Sequence, residues 1–214
     1  MPVPVVVKLI NKRLYCLQAN KGIRRKVADW FIGLKAKKIY KRISPYLKTK
    51  SRDRLMILDV GSGSGGVSCE LLRNGFKNLF CLDVVDLLAY KNLKVILYDG
   101  EKIPFTDKKF DVAIIIHVLH HCGDSSKTLK EALRVAKRVV FIEDTYRTKL
   151  ERIIVSVNDA LGNFEFYAHP YKTPKQWRQL LAGFKAKVKV EENWSEFSYG
   201  FLYGRYVMFV VEGK

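Results

Sequence analysis

The sequence predicts an α/β fold in which helices cover both faces of a mostly parallel sheet. From residue 55 onward, short apolar runs alternate with stretches of helical periodicity, an order typical of parallel strands joined by right-handed crossovers. Near the end of the chain, an alternating run and an almost wholly apolar run predict an antiparallel hairpin on this sheet. The 214 residues, 48% of them hydrophobic, are enough for one core of ordinary size.

The first predicted element is a helix over residues 23–44, which Pro45 stops. Its apolar residues recur at helical spacing in two slightly rotated stripes, and Lys and Arg fill the other faces. Such a basic amphipathic helix can lie on a membrane surface or a nucleic acid, or can simply cover the domain. Residues 1–50 are therefore interpreted as a basic helical extension or lid, and residues 51–214 as the main domain.

The elements that follow alternate between strand and helix. Gly75 is placed to end the first of these helices, and Thr173 to cap the last. The predicted strands are residues 55–60, 79–83, 95–98, 111–116, 138–142, 185–192 and 206–211, and the predicted helices are residues 66–74, 126–136, 149–161 and 174–181. An aromatic loop is predicted between the last two strands.

Positive charge is concentrated at the N-terminus. The chain has 39 Lys and Arg against 21 Asp and Glu, a net charge of +18. Residues 1–55 hold sixteen basic and two acidic side chains, which leaves only +4 for the rest. This asymmetry predicts a phosphate-bearing partner for residues 8–54, either an anionic membrane surface or RNA.

The cysteines and the apolar runs indicate the cellular compartment of the protein. Four cysteines stand far apart without a C-x-x-C pair, as expected for reduced thiols. No run approaches the roughly 20 apolar residues that a membrane-spanning helix needs, and no export signal is visible at the start. We therefore expect a cytoplasmic protein, one that can be peripheral to the membrane.

The most informative stretch is the glycine-rich turn that follows the first predicted strand. Gly61, Gly63 and Gly65 are spaced G-x-G-x-G, and Asp59 precedes them by two residues. Such a turn lets a ligand approach the backbone at the carboxyl end of the sheet. A carboxylate in the same turn would repel a pyrophosphate, so the pattern favours a cationic ligand.

Further acids follow at the ends of the next two predicted strands. Asp83 can accept hydrogen bonds from both hydroxyls of a ribose, and Asp99, followed by Gly100 and Glu101, can hold an adenine amino group. S-adenosylmethionine has a sulfonium, an amino group, a ribose and an adenine but no phosphate. Three acids at three successive strand ends therefore predict this cofactor.

These motifs resemble the class I S-adenosylmethionine-dependent methyltransferases, in the type-11 branch that includes the ubiquinone and menaquinone C-methyltransferases. The matching stretches are residues 58–65, 82–83, 99–105, 110–111 and 118–121. The resemblance implies a Rossmann-like, seven-stranded sheet whose last strand is antiparallel. It also implies roles for individual residues: Asp59 with Gly61, Ser62, Gly63 and Gly65 at the methionine part, Asp83 with Val84 at the ribose, Asp99 with Gly100 and Glu101 at the adenine, and His117 with Val118 at the sulfonium.

The sequence departs from this family in two places. The Pro-Gly-Gly expected before the fifth strand is absent, so the turn there must be tighter. Beyond Asp144 the resemblance fades, which assigns acceptor specificity to a segment at about residues 145–205. Nine aromatic residues in this segment suit an apolar or planar acceptor pocket, although core or lid positions would explain them equally well. They are Phe164, Phe166, Tyr167, Tyr171, Trp177, Phe197, Tyr199, Phe201 and Tyr203.

Methyl transfer requires that donor and acceptor be aligned and, for a hydroxyl or carbon nucleophile, that a proton be removed. The candidate bases are His120, His121 and His169. Because adjacent side chains usually diverge, we expect at most one of His120 and His121 to face the acceptor. His117, His120, His121, Cys122 and Asp124 also look like metal ligands, but no second group at zinc spacing accompanies them, and no metal is expected.

The function that these observations favour is methyl transfer from S-adenosylmethionine to a small, hydrophobic, aromatic or lipid-like acceptor. An RNA methyltransferase that uses the basic N-terminal helix is the alternative. A Val-Leu-His-His stretch stands where an Asn-Pro-Pro-Tyr-type turn would favour that alternative. A second alternative is a cofactor-binding regulatory protein without catalysis. The methylated atom and the oligomeric state stay open.

Overall fold

The computed structural model describes residues 23–47, 51–163, 169–198 and 202–213. Its elements follow the predicted order closely, and most boundaries differ from the prediction by one or two residues. The helices are α1 (Ile23–Ile43), a 3-10 turn (Ser44–Leu47), α2 (Gly66–Arg73), α3 (Ser125–Val135), α4 (Lys149–Asn163) and α5 (Pro174–Ala182). The strands are β1 (Ile57–Val60), β2 (Leu79–Asp83), β3 (Val95–Leu97), β4 (Phe110–Ile116), β5 (Ala136–Asp144), β6 (Ala186–Ser198) and β7 (Leu202–Gly213).

The strands form one seven-stranded sheet in the order β3-β2-β1-β4-β5-β7-β6. Strands β1 to β5 are parallel, and β7 pairs antiparallel with both β5 and β6. This confirms the predicted fold class. The strand order reverses between β1 and β4, and ligands of open α/β sheets bind at such a reversal, beside the carboxyl ends of the strands.

Two apolar clusters form the core, one on each face of the sheet. Alternate strand residues supply them, so that Leu58 and Val60 of β1 face α3 and α5, whereas Ile57 faces α1 and α2. Strand β1 is buried throughout, as expected for a central parallel strand with both faces covered. The carboxyl ends of β1 and β4 are thereby held rigidly next to each other.

The C-terminal hairpin is longer than predicted. Strands β6 and β7 have 13 and 12 residues, so the prediction of an aromatic loop over residues 193–205 is wrong for residues 193–198 and 202–205, and residues 199–201 lie outside the described part. Cross-strand pairs such as Trp194 with Tyr206 and Phe197 with Tyr203 extend the ladder through this region. Polar residues between the aromatic ones had obscured the strand periodicity.

The connection before β5 is short, as the missing Pro-Gly-Gly had predicted. Helix α3 ends at Val135 and β5 begins at Ala136, with no residue between them. Asp124 caps the other end of α3 by accepting hydrogen bonds from the backbone of Ser126 and Lys127. The helix is thus fixed at both ends, and the loop between β4 and α3 is held in place at the edge of the sheet.

Helix α1 packs against α2 and the sheet. Its residues Ile39 and Ile43 are buried in the core, and the side chain of Ile32 lies against Gly66 at the start of α2. The division of the chain at residue 50 stays a prediction, and residues 1–22 lie outside the described part. Among the described helices, none combines the length and the apolar character needed to cross a membrane.

Candidate functional site

The glycine-rich turn between β1 and α2 is built by backbone hydrogen bonds. The N–H groups of Gly61 and Ser62 both donate to the carbonyl of Leu82, and Gly65 N–H donates to the carbonyl of Ser62. Gly61, Gly63 and Gly65 all have positive φ, between 50° and 76°. Residues with a Cβ rarely adopt this conformation, which explains the spacing of the glycines.

Two of these glycines also show what surrounds the turn. A Cβ on Gly61 would lie 2.5 Å from the side chain of Val118, so the turn packs tightly against the loop after β4. A Cβ on Gly63 would meet no atom of the described residues within 4 Å. The turn is therefore closed toward β4 and open at Gly63, where a ligand can approach the backbone.

Asp83, at the end of β2, faces this turn. Its Oδ2 accepts a hydrogen bond of 2.8 Å from Gly63 N–H, and its Oδ1 accepts one of 2.7 Å from Val84 N–H. The carboxylate is half-buried. The predicted ribose-binding acid is thus held beside the open part of the glycine turn.

Asp59 lies deeper than the sequence indicated. Its side chain is buried within β1 and accepts a hydrogen bond of 2.5 Å from the hydroxyl of Ser68 in α2. Burial raises the pKa of Asp59 to about 7, and the nearby Asp83 carboxylate adds to the effect. A cationic ligand at the glycine turn would stabilise the charged form of this acid.

Asp99 is exposed, and its carboxylate binds the backbone of the loop after β3. Its Oδ1 accepts hydrogen bonds from the backbone of Glu101 and Lys102, and these bonds lower its pKa. Gly100 has a φ of 82°, and a Cβ there would lie 3.2 Å from Val84. Glu101 forms an ion pair with Lys127 of α3. The loop after β3 therefore lies directly beside the end of β2, as the predicted order of acids requires.

His117 and Val118 follow β4 immediately. His117 has a φ of 55°, and its Nδ1 lies 2.6 Å from Asp144 Oδ2 at the end of β5. Burial alone would raise the pKa of Asp144, but the adjacent His117 outweighs it and lowers the pKa to about 2. This pair closes the crevice on the side of β5.

A second carboxylate at the end of β5 binds the backbone of the loop that follows β4. Glu143 is fully buried, and its Oε1 accepts hydrogen bonds from the N–H groups of Val118 and Leu119. Its Oε2 lies 2.6 Å from Nδ1 of His120. Because Glu143 and Asp144 are adjacent strand residues, they point to opposite faces and position two different histidines.

The three candidate bases meet at one acid that sequence reasoning missed. Asp159 of α4 lies 3.7 Å from His120 Nε2, 3.9 Å from His121 Nε2 and 3.2 Å from His169 Nε2. Its Oδ2 also accepts a hydrogen bond of 2.8 Å from the hydroxyl of Tyr171. We call His120, His121, His169 and Asp159 the histidine cluster.

Charged neighbours outweigh burial in setting the pKa values of His120 and Asp159 in this cluster. Burial alone would lower the pKa of His120, but the carboxylates of Glu143 and Asp159 outweigh it and raise the pKa to about 10. For Asp159, the neighbouring histidines outweigh burial and lower the pKa below its usual range. Burial and Asp159 together raise the pKa of Tyr171, which keeps its hydroxyl a donor.

The premise behind one expectation, that the side chains of His120 and His121 diverge, is wrong, whereas the expectation that at most one of them faces the acceptor stays a prediction. The rings of His120 and His121 do not diverge, and their centroids lie 4.0 Å apart. The reason is a turn, in which His121 N–H donates to the carbonyl of Val118 and brings both side chains toward Asp159. His120 and His121, which the sequence analysis had already grouped as possible metal ligands, form such a group here with Asp159.

The aromatic residues of the segment at about 145–205 are divided among several roles. Trp177 is buried in the core against Phe141, and Tyr171 belongs beside the histidine cluster. Phe197 is exposed and contacts Tyr203 across the hairpin. The remaining members of the predicted set lie outside the described residues: Phe164, Phe166, Tyr167, Tyr199 and Phe201.

The crevice thus has two sides with different chemistry. The cofactor side offers open backbone at Gly63 and carboxylates from three strand ends, which fits a cationic nucleoside without phosphate. S-adenosylmethionine supplies an electrophilic methyl group when it is bound. The histidine cluster on the other side can take up a proton, hold a cation or fix an oxygen of an acceptor.

The seven-stranded sheet is the fold of the class I S-adenosylmethionine-dependent methyltransferases. Residues 58–141 match the family model described as a methyltransferase domain. The chain is similar to a ubiquinone/menaquinone biosynthesis C-methyltransferase of Rickettsia prowazekii, with 29% identity over 144 residues. That alignment covers 53% of this chain and 58% of the relative.

Other relatives support the same class. The corresponding C-methyltransferase of Rickettsia typhi is 34% identical over 98 residues, which cover 38% of this chain and 40% of the relative. The chain thus spans about half of the length of these curated relatives. Among solved structures, magnesium protoporphyrin IX methyltransferase from Synechocystis, with bound SAH, has a TM-score of 0.62 at 13% identity and covers 97% of this chain and 94% of its own. The last comparison shows the fold alone.

Proposed function

We propose that this chain transfers a methyl group from S-adenosylmethionine to a small apolar acceptor with an aromatic or quinone-type ring. The observation that carries the proposal is the histidine cluster at the carboxyl ends of β4 and β5, beside the glycine turn. Gly61 and Val118 are in contact there, so the two sides of the crevice adjoin. The names of the curated relatives favour methylation at carbon.

The cluster is suited to bind a polar oxygen of such an acceptor. Its imidazole and carboxylate groups converge on a small region, and Asp159 orients His169 and Tyr171. His121 is the most open member, with 24% of its side chain exposed. An acceptor can therefore present a hydroxyl or carbonyl to His121 while its ring stays near the cofactor side.

The test is incubation of the full chain with methyl-labelled S-adenosylmethionine and separate pools of demethylated quinols, simple phenols, and RNA. Label in the quinol pool at a ring carbon, located by NMR, would support the proposal. Label in RNA alone would support the alternative function and overturn this one. Cofactor binding without label in any pool would support the regulatory alternative.

We also propose that the chain docks on an anionic membrane, where an apolar acceptor would be found. Helix α4 exposes Leu150, Ile153 and Val157 on one face, with exposures of 67%, 59% and 50%, and basic residues flank them. Trp30 of the basic helix α1 is 60% exposed. Lys38 and Arg42 of α1 form ion pairs with Glu196 and Glu192, so only part of the positive charge is available to a partner.

Sedimentation with lipid vesicles tests this docking. We expect binding to vesicles that contain anionic lipid, weaker binding to purely zwitterionic vesicles, and a decrease with salt. Ile153→Asp should reduce binding, and Lys187→Asp, an exposed site on β6, serves as a charge-changing control. Equal loss in both variants, or preferential binding to RNA over anionic vesicles, would contradict the proposal.

A further inference from the structure

We propose that the histidine cluster binds one divalent transition-metal cation, with His120, His121 and Asp159 as ligands and His169 adjacent to them. The three ligand residues each offer one atom, and these atoms lie within 4.8 Å of one another. They come from two distant segments of the chain, the loop after β4 and helix α4. This explains why the spacing of residues along the sequence contains no metal motif.

The distances within the cluster suit a metal. In a tetrahedral site with bonds of about 2.0–2.1 Å, neighbouring ligand atoms lie roughly 3.4 Å apart. Asp159 oxygens lie 3.7 Å and 3.9 Å from the Nε2 atoms of His120 and His121. The Nε2 atom of His169 lies 3.2 Å from Asp159 Oδ2. Shifts of a few tenths of an ångström would therefore bring Asp159 to coordination spacing from each histidine, and the ligand atoms as a set, which lie within 4.8 Å of one another, would close further around an ion.

His120 provides an independent observation. The side chain is 1% exposed, and its Nδ1 is held by Glu143 at 2.6 Å. Its Nε2 is buried, points toward Asp159 and has no hydrogen-bond partner among the described residues. A carboxylate that holds the far nitrogen of a histidine, and thus directs the other nitrogen at a metal, is a common arrangement in metalloproteins.

The charge of the site favours a cation as well. Glu143 and Asp159 bring two carboxylates into a largely buried region, where a divalent ion bound to neutral His120 would replace the proton that these carboxylates otherwise favour on that ring. Imidazole nitrogens with one carboxylate are ligands that suit zinc and its neighbours in the first transition row. Three protein ligands also leave a position for an oxygen of the acceptor, and this last point rests on the proposed function.

The test is a titration of chelator-treated full chain with Co²⁺, followed by visible absorption, and with Zn²⁺, followed by calorimetry. We expect one ion per chain and an absorption band typical of a four- or five-coordinate site. His121→Ala and Asp159→Asn should weaken binding by at least about 100-fold, more than the loss of an outer-shell partner. Because no acceptor is present, this result is independent of whether any acceptor is methylated.

The matched control is His117→Gln, which removes a nearby histidine that faces Asp144 instead of Asp159. It should bind the metal like the unchanged chain. Circular dichroism and thermal unfolding, measured on every variant, show whether the fold is retained. The proposal is overturned if no ion binds, or if His121→Ala and Asp159→Asn bind as tightly as His117→Gln.

Discussion

The two sides of the β1–β4 crevice are constructed differently. On the cofactor side, the glycine turn is held by backbone hydrogen bonds and by Asp83, which accepts from Gly63 N–H. The side proposed for the acceptor is formed by five side chains that lie close together, with Glu143 and Asp159 at either end of His120. They come from the loop after β4, from β5, from α4 and from the segment before α5. Local backbone geometry therefore forms the first side, and long-range side-chain contacts form the second.

This difference has a consequence for mutagenesis. A change on the cofactor side should alter cofactor affinity or the conformation of the turn. A change in the histidine cluster should alter turnover while cofactor affinity stays the same. If both kinds of change altered both quantities equally, the division of the crevice into two sides would be wrong.

The largest effect is expected for Asp159→Asn. This change removes the negative charge that His120, His121 and His169 share. The amide oxygen of Asn can still accept a hydrogen bond, but it supplies neither a charge that stabilises a protonated imidazole nor an anionic metal ligand. We expect methyl transfer to fall by about 10²–10⁴-fold, the range for loss of one acid–base or acceptor-positioning group. Transfer is measured with the acceptor that takes up label.

Asp124→Asn is the matched control for this prediction. Asp124 caps α3 near the same loop, and Asn is an equally good N-cap, so activity should stay the same. Cofactor affinity, measured by calorimetry, should be unchanged in both variants. Loss of cofactor affinity in Asp159→Asn would show that the histidine cluster and the glycine turn are not separable.

Gly61→Ala tests the cofactor side of the crevice, which backbone geometry forms. A residue with φ of 71° and a Cβ 2.5 Å from Val118 must both adopt a strained conformation and displace a packed side chain. We expect the free energy of unfolding to decrease by about 2–4 kcal/mol, measured with urea. In contrast, Gly33→Ala in the middle of α1 meets nothing within 4 Å and should stabilise the chain by up to about 1 kcal/mol.

The cofactor side was largely predictable from the sequence because its determinants are contiguous. The G-x-G-x-G spacing reports positive φ directly, and acids that follow apolar strands must meet at the carboxyl edge of a parallel sheet. The sequence did not predict how deeply Asp59 is buried, since no local pattern showed that its side chain would lie against Ser68. Burial of a polar strand residue depends on the helix that packs over it.

The acceptor side was predictable only in part. The three histidines were recognisable as candidates, but Asp159 lies in the middle of a helix and is 38 residues from His121 along the sequence. Only the packing of α4 against the sheet brings them together. Glu143 and Asp144 did have a signal, since they end an apolar strand as Asp59 and Asp83 do, but the predicted strand stopped at residue 142.

Asp83→Ala should reduce cofactor affinity by about 1–3 kcal/mol, the cost of losing a buried acceptor of hydrogen bonds. The change also releases the N–H groups of Gly63 and Val84, which Asp83 holds. Asp86→Ala is the control, because Asp86 is exposed on the same loop and accepts only a local hydrogen bond from Leu88 N–H. Calorimetry with S-adenosylmethionine measures both, and equal affinities would exclude Asp83 as the ribose-binding acid.

The most gradual effect is expected for the pH dependence that Asp59 gives to stability. Its pKa is about 7 in the folded chain and near 3.8 when unfolded, because burial disfavours the charged form. The folded state therefore retains a proton that the unfolded state loses, and the stability that Asp59 contributes falls as pH rises from 3.8 to about 7. The slope from this one group is at most about 1.4 kcal/mol per pH unit.

Asp59→Asn isolates this contribution, because Asn cannot titrate and still accepts the hydrogen bond from Ser68. The measured quantity is the difference in free energy of unfolding between the unchanged chain and Asp59→Asn. This difference should decrease as pH rises from 3.8 to about 7. Saturating S-adenosylmethionine should flatten the trend, since a cation at the glycine turn stabilises the charged acid. A difference that does not vary with pH would mean that Asp59 is ionised throughout, and that its charge is compensated inside the protein before any cofactor binds.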